Sequence, residues 1–191
     1  MNYELMAPPF EIKEFYEMNK KEAKEHFEWY ISEIPHRIEI LKNIYEELGG
    51  KKENLDYSIN SLEDLWKWYL KNVQIIDKSE KEILEEKEAL PEWLKNEKIM
   101  LKKISIPWLA IAMDISIYLG EVFVRNNPQL QWTFVTKPKK IIHVNKPVIG
   151  DFKNDKMDTR HILYVLTLKI VNNTTNEKAL LNLYNVWMEY L

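Results

Sequence analysis

A long apolar segment in the middle of the chain limits the possible folds more than any other feature. Apolar residues occupy most positions of residues 105–125. In a helix with about 100° per residue, four polar residues of this segment lie on one face: Asp114, Tyr118, Glu121 and Arg125. We call these four residues the polar line. We therefore expect a helix that protein encloses on most sides, and a charge buried there requires a partner.

The polar line has two interpretations. In the first, it is a buried network that fixes how the helix packs, with Glu121 paired to Arg125 at i, i+4 and Tyr118 donating to Asp114. In the second, the four residues line a pocket that binds a small ligand, or in which Asp114 or Glu121 acts as an acid or base. Carboxylates two turns apart lie ~10 Å apart by helical rise, which is long for a shared proton. We favour the structural network.

The same segment could be mistaken for a membrane span. Residues 104–124 approach the required length, but Asp114 lies at their middle. A carboxylate at the bilayer centre costs roughly 2.5 to 3.5 kcal/mol, so a core helix is the better interpretation and we expect no membrane association. Residues 1–10 do not have the pattern of a signal peptide. The chain has no cysteine, which agrees with a reducing compartment, and we expect a cytoplasmic protein.

Composition and motifs exclude several classes of function. A formal net charge of -3 gives no general attraction to phosphate backbones, so we expect no nucleic-acid partner. With 4 glycines and no nucleotide or nucleophile motif, the sequence predicts no cofactor and favours a protein without enzymatic activity. The histidines form no metal-binding pattern, and we expect no metal site.

Flanking segments carry helix signals. Asn19 and Glu22 have the spacing of a capping box, and Pro35 predicts a kink or break before a second helix that ends at Gly49 and Gly50. Residues 61–64 repeat the start signal for a third helix. Residues 77–103 alternate lysine and glutamate and predict solvated helices broken by a proline.

The C-terminal third changes pattern. Residues 131–136 and 140–144 predict two strands of a hairpin. Residues 159–171 suit either a buried strand or a helix, of which we favour the helix, and residues 179–191 predict a final helix. The expected fold is a predominantly helical α+β domain: a central buried helix, a small antiparallel β-hairpin and C-terminal helices. We expect a single domain over 1–191, with N-terminal helices in 19–76, charged connecting helices in 77–103, and the remainder in 104–191.

Tryptophan and glutamate residues indicate a surface for a partner. Trp68 lies off the apolar stripe of its predicted helix, and Trp29 has a tyrosine neighbour that faces another way. Exposed tryptophans are common anchors of protein interfaces. The interface candidates are Trp29, Trp68, Glu80, Glu85 and Glu88.

Several short motifs resemble a recurrent pattern in small uncharacterised bacterial proteins that carry a domain of unknown function. These motifs lie at residues 19–23, 27–30, 61–68, 118–121, 131–132 and 145–148. Some of the proteins with this pattern resemble products encoded near toxins and their immunity proteins. The resemblance implies a bacterial cytosolic protein that binds another protein, such as a toxin, and it assigns no site residue.

The leading hypothesis is a non-catalytic protein-binding module of immunity or regulatory type, present as a monomer or small homo-oligomer. Such a module would cover its partner with an acidic face that contains aromatic residues. Two alternatives stay open. One is a small-ligand-binding protein or enzyme that uses the polar line, and the other is a structural subunit of a larger assembly.

Overall fold

The computed structural model describes residues 3–94, 99–153 and 155–191. Over these residues the fold is predominantly helical α+β, as the sequence predicts. The helices are α1 (Lys20–Glu47), α2 (Ser61–Asn72), α3 (Glu80–Ala89), α4 (Ile106–Asn126), α5 (Thr159–Val171) and α6 (Ala179–Met188). The strands are β1 (Ile75–Asp77), β2 (Lys102–Ile104), β3 (Gln131–Thr133) and β4 (Val148–Gly150).

Helix α1 begins and ends as predicted but is not broken in between. The Asn19 side chain accepts from the amides of the first turn, and Glu22 reaches back to the Asn19 amide. Gly49 ends the helix with φ at 87°, a conformation that glycine adopts at little cost. Pro35 lies inside the continuous helix, so the prediction of a second helix is wrong. Burial of both halves against the core outweighs the local penalty of about 3 kcal/mol for an interior proline.

Helix α4 is the centre of the core. It packs against α1 on one side and α5 on another, and most of its residues are buried. Within the described part of the chain, it is the one helix long and apolar enough to cross a membrane, and 67% of its apolar window is buried inside the protein. Such burial is typical of the core helix of a soluble domain.

Two small antiparallel sheets connect the helices. Strands β1 and β2 pair through Ile75 and Ile104, and β3 and β4 pair through Trp132 and Ile149. Residues 140–143 form turns and a bend, and Val144 makes only an isolated bridge with Val135, so 140–144 are not the predicted second strand of the hairpin. The true partner strand is completely buried and Ile149 exchanges two backbone hydrogen bonds with Met157, which explains why tertiary packing selects it.

The remaining predicted helices differ in how they match the structure. Helices α5 and α6 confirm the helical interpretation of 159–171 and the final helix. In the predicted connection 77–103, α3 is helical and without a buried residue. The helical prediction is wrong at both ends, where residue 77 belongs to β1 and residues 102–103 to β2, and residues 95–98 lie outside the described residues. Buried side chains from both ends of the chain share one hydrophobic core, which runs from Tyr3 to Tyr184.

Candidate functional site

The polar line of α4 does not form a single site. Asp114 and Tyr118 are completely buried, Glu121 is half-buried and Arg125 is exposed. Each of the first three finds its main partners in a different part of the fold. Tyr118 and Arg125 both contact the ring of Tyr57, whereas Asp114 belongs to a different cluster. The four residues therefore do not line one pocket.

Asp114 forms a buried ion pair with Arg37 of α1. Arg37 Nε donates to Asp114 Oδ1 at 2.9 Å, and Arg37 Nη2 donates to Oδ2 at 2.7 Å. The hydroxyl of Tyr3 also donates to Oδ2. Both charged side chains are almost inaccessible, with 1% of Arg37 and 0% of Asp114 exposed. The buried carboxylate has its partner, although the sequence did not identify which residue it would be.

Burial and pairing act in opposite directions on this ion pair. Burial raises the pKa of Asp114, while the hydrogen bonds and charge of Arg37 oppose that rise. Burial also disfavours the charged form of Arg37, yet the hydrogen bonds that Arg37 donates to Asp114, with the negative charge of Asp114, more than compensate, and the pKa of Arg37 is raised. A guanidinium stays charged at neutral pH, so Asp114 is its carboxylate partner. Both oxygens of Asp114 accept hydrogen bonds, which leaves it poorly suited to act as a general acid or base.

Tyr118 turns away from Asp114, so the predicted hydrogen bond between them is wrong. Its hydroxyl accepts from the Tyr57 amide at 2.9 Å and lies 2.7 Å from Ser61 Oγ. Ser61 donates its own hydrogen to the Ser58 carbonyl, which makes Tyr118 the donor to Ser61. Ser61 therefore anchors α2 to α4 and does not cap α2. Burial raises the pKa of Tyr118 to about 12, so this phenol stays protonated at neutral pH.

Glu121 and Arg125 form the predicted pair, with Arg125 Nε 3.0 Å from Glu121 Oε2. Glu121 Oε1 also accepts from the indole nitrogen of Trp132 at 3.0 Å. The Trp132 ring crosses α4 at Gly120, where an added Cβ would lie 2.2 Å from the ring. The pair thus belongs to the contact that holds β3 against the central helix.

The predicted interface residues do not all reach the surface. Trp68 is only 6% exposed and packs against Tyr45 and Trp108, so its predicted exposure is wrong. Helix α2 is covered by the core along the face that carries Trp68, which helical periodicity within α2 could not show. Trp29 is half-buried against the ring of Phe10.

The acidic candidates lie apart from the buried tryptophan. Glu80, Glu85 and Glu88 are exposed on α3, as the sequence predicts. Lys81 lies 3.6 Å from Glu85, so the helix surface carries both signs of charge. An acidic surface centred on Trp68 is therefore not present.

The structure has instead an apolar groove between α4 and α5. A cleft of about 400 Å³ lies over the Arg37–Asp114 pair, and Leu109 and Tyr164 also line a smaller depression of about 140 Å³ beside it. We call the two together the α4–α5 groove. Its apolar lining comes from α4 (Ile106, Leu109, Ala110 and Met113), from α5 (Tyr164, Leu168 and Val171), from Leu5 and Met6 before α1, and from Met100 and Ile104 at the β2 end.

Sequence reasoning missed the groove for a specific reason. Ile106, Leu109 and Met113 have the spacing of one helix face, but α4 is apolar on nearly every face. The pattern therefore could not show which face the rest of the chain leaves uncovered. Among the described residues, no group of three or more His, Asp or Glu side chains is arranged to hold a metal ion.

Comparisons with known proteins add no information about the function. No family model, no curated protein and no solved structure matches the chain. The resemblance to bacterial proteins near toxin genes therefore stays a prediction from short sequence motifs.

Proposed function

We propose that this protein is a non-catalytic protein-binding module and that the α4–α5 groove is its docking surface. The exposure of large apolar side chains around the groove carries this proposal. Leu5 is 56% exposed, Ile106 is 64% exposed and Tyr164 is 49% exposed. Contiguous apolar surface of this kind is typical of interaction sites. Burying it in a complex removes it from water, which is favourable by roughly 25 cal/mol per Å² of apolar surface.

The floor of the groove supports binding rather than catalysis. Its charged residues, Arg37 and Asp114, are joined by two hydrogen bonds, and Tyr3 donates a third to Asp114. A reaction would need a group free to exchange a proton or attack a substrate. The floor has a structural role instead, since it fixes α1 and α4 beneath the groove.

The protein is still proposed to bind another protein, as the sequence predicts, but through a different surface. Trp68 is no longer a candidate anchor, and the apolar groove replaces the acidic face around it. A partner in the bacterial cytoplasm, such as the toxin that the sequence resemblance implies, would be covered by this groove and blocked sterically. Burial of α4 within the core supports a soluble module.

A small apolar ligand is the second candidate for the groove. The volume of about 400 Å³ is within the range of roughly 300 to 1,000 Å³ that small-molecule pockets have. Such a ligand would use the same apolar lining residues. The experiment that tests the proposal must therefore separate a protein from a small molecule.

The test compares wild-type protein with Ile106→Glu and Ile142→Glu. Both isoleucines are exposed, at 64% and 66%, but Ile142 lies outside the groove, so it is a matched control. Each protein is immobilised, and captured proteins from native cell extract are quantified by mass spectrometry. We expect wild type and Ile142→Glu to capture at least one protein in similar amounts, and Ile106→Glu to capture about tenfold less of it or lower still.

Two results would contradict the proposal. Equal capture by all three proteins would show that the groove does not bind a protein. A small molecule that copurifies with wild type and is lost from Ile106→Glu, without any loss of a captured protein, would favour the ligand-binding alternative. Native mass spectrometry of the purified proteins detects such a molecule.

A further inference from the structure

We propose that the occupant of the groove is an amphipathic α-helix of the partner, oriented by an acidic residue at the end that lies over Lys102. This inference rests on the proposed function and adds the shape and charge of the partner. Three features of the groove support it: the spacing of its apolar residues, its helical walls and the ion pairing of its lysines.

The spacing of the lining residues matches a helix. Along α4, Ile106, Leu109 and Met113 follow at intervals of three and four, and along α5, Tyr164, Leu168 and Val171 follow at four and three. The first and last residues of each row are seven positions apart, or about 10 Å at 1.5 Å per residue. Two such rows on adjacent helices leave a groove into which the ridge of a third helix fits. The occupant would present apolar residues at i, i+3 or i+4, and i+7 over two to three turns.

The walls of the groove favour a helix over an extended peptide. An extended partner gains most of its affinity from backbone hydrogen bonds to an open strand edge. Helices α4 and α5 use their backbone groups internally and supply half of the lining residues. Strand β2 reaches only one end of the groove and has three residues. A helix satisfies its own backbone and needs only apolar contacts from these walls.

The lysines at the β2 end indicate the charge of the occupant. Lys78 pairs with Glu86, and Lys103 pairs with Glu82. Lys102 lines the same end of the groove and is exposed. Asp77 lies opposite it on β1, but within the described ranges no carboxylate is close enough to Lys102 to form an ion pair. A carboxylate of the partner placed there would gain an ion pair. Because exposed pairs contribute little to affinity, Lys102 would mainly set the direction of the helix.

The first experiment selects peptides without assuming a partner. A displayed library of random 16-residue peptides is enriched on wild-type protein and counter-selected on Ile106→Glu. We expect the enriched peptides to have apolar residues at i, i+3 or i+4, and i+7, with Asp or Glu near one end. Enrichment of peptides with alternating apolar residues, or no enrichment relative to Ile106→Glu, would overturn the inference.

The second experiment measures the helix and the charge separately. The best selected peptide is labelled, and its Kd is measured by fluorescence anisotropy. A proline at the peptide's centre should weaken binding more than tenfold, because it breaks a helix. Lys102→Glu should weaken binding about two- to fivefold. It should also bind more tightly a peptide whose acidic residue is replaced by lysine. Lys139→Glu, at an exposed site outside the groove, should change neither the affinity nor this preference. Equal binding of the proline peptide, or equal effects of the two lysine variants, would overturn it.

The two proposals can fail separately. If Ile106→Glu loses a cellular partner but the selected peptides lack the helical pattern, the helix inference is wrong and the protein-binding proposal stands. If Ile106→Glu retains every captured protein, the proposed function is wrong as well.

Discussion

Replacing Asp114 with alanine should destabilise the protein strongly, because it leaves the buried guanidinium of Arg37 without its carboxylate. Arg37 is 1% exposed and loses the acceptors of two hydrogen bonds, at 2.7 and 2.9 Å. Breaking a buried ion pair in this way costs about 3 to 5 kcal/mol. The Glu4 carbonyl still accepts from Arg37 at 2.8 Å, and the Glu4 carboxylate lies 3.6 Å away, so we expect a value near 3 kcal/mol.

This loss is large for a domain whose whole stability is about 5 to 15 kcal/mol. For a chain of this length, a loss near 3 kcal/mol corresponds to a fall in Tm of roughly 6 to 12 °C. Urea unfolding followed by far-UV circular dichroism measures the free energy of unfolding directly. An unchanged slope against urea concentration would show that the variant still unfolds from the same fold.

Two further variants separate the charge from the hydrogen bonds. Tyr3→Phe removes only the neutral donor to Asp114 and should cost about 1 kcal/mol. The double variant Arg37→Met with Asp114→Leu leaves no buried charge, and it should recover most of the stability lost in Asp114→Ala. A loss below about 1 kcal/mol in Asp114→Ala, or a double variant no more stable than the single one, would refute the reasoning.

Two other predictions concern Gly120 and His26. In Gly120→Ala, the new Cβ would lie 2.2 Å from the Trp132 ring, so the ring must move and stability should fall by about 1 to 3 kcal/mol. Adding Trp132→Leu should relieve this clash. An unchanged Tm in Gly120→Ala would contradict the close contact between the ring and Gly120. Burial, with a smaller effect of Arg160, lowers the pKa of His26 to about 4. Below pH 6.5 the unfolded chain takes up a proton that the folded chain does not, so stability should be about 2 kcal/mol lower at pH 5 than at pH 8 because of this residue. His26→Gln should remove that part of the pH dependence of the free energy of unfolding, measured with urea. If wild type and His26→Gln showed the same dependence on pH, His26 would not be its source.

Local signals in the sequence account for much of the helical architecture. The capping box at Asn19, the left-handed residue at Gly49 and the extent of α4 follow from interactions within a few residues. The pair between Glu121 and Arg125 is likewise one turn long. These features could be predicted because helix ends and i, i+4 contacts depend on neighbours in the chain.

Contacts between distant residues were not predictable in the same way. Arg37 and Asp114 are 77 residues apart, and Tyr3 is 111 residues from Asp114. Periodicity shows that a buried carboxylate needs a partner, but many cations in the chain have the right charge. The predicted partner of β3, residues 140–144, was wrong for a similar reason. Several apolar segments could pair with β3, and burial selected β4.

The sequence alone therefore determined the helical character of the protein, the ends of α1 and the need to neutralise a charge within α4, because these depend on short-range geometry and on the cost of burying charge. Only the tertiary structure decided which cation pairs with Asp114, that Trp68 lies inside, and which face of α4 stays open to form the groove. An apolar side chain is stabilised by any apolar surface that covers it, so its sequence position does not show which surface that is. The uncovered face of α4 is therefore known only when all the helices are in place.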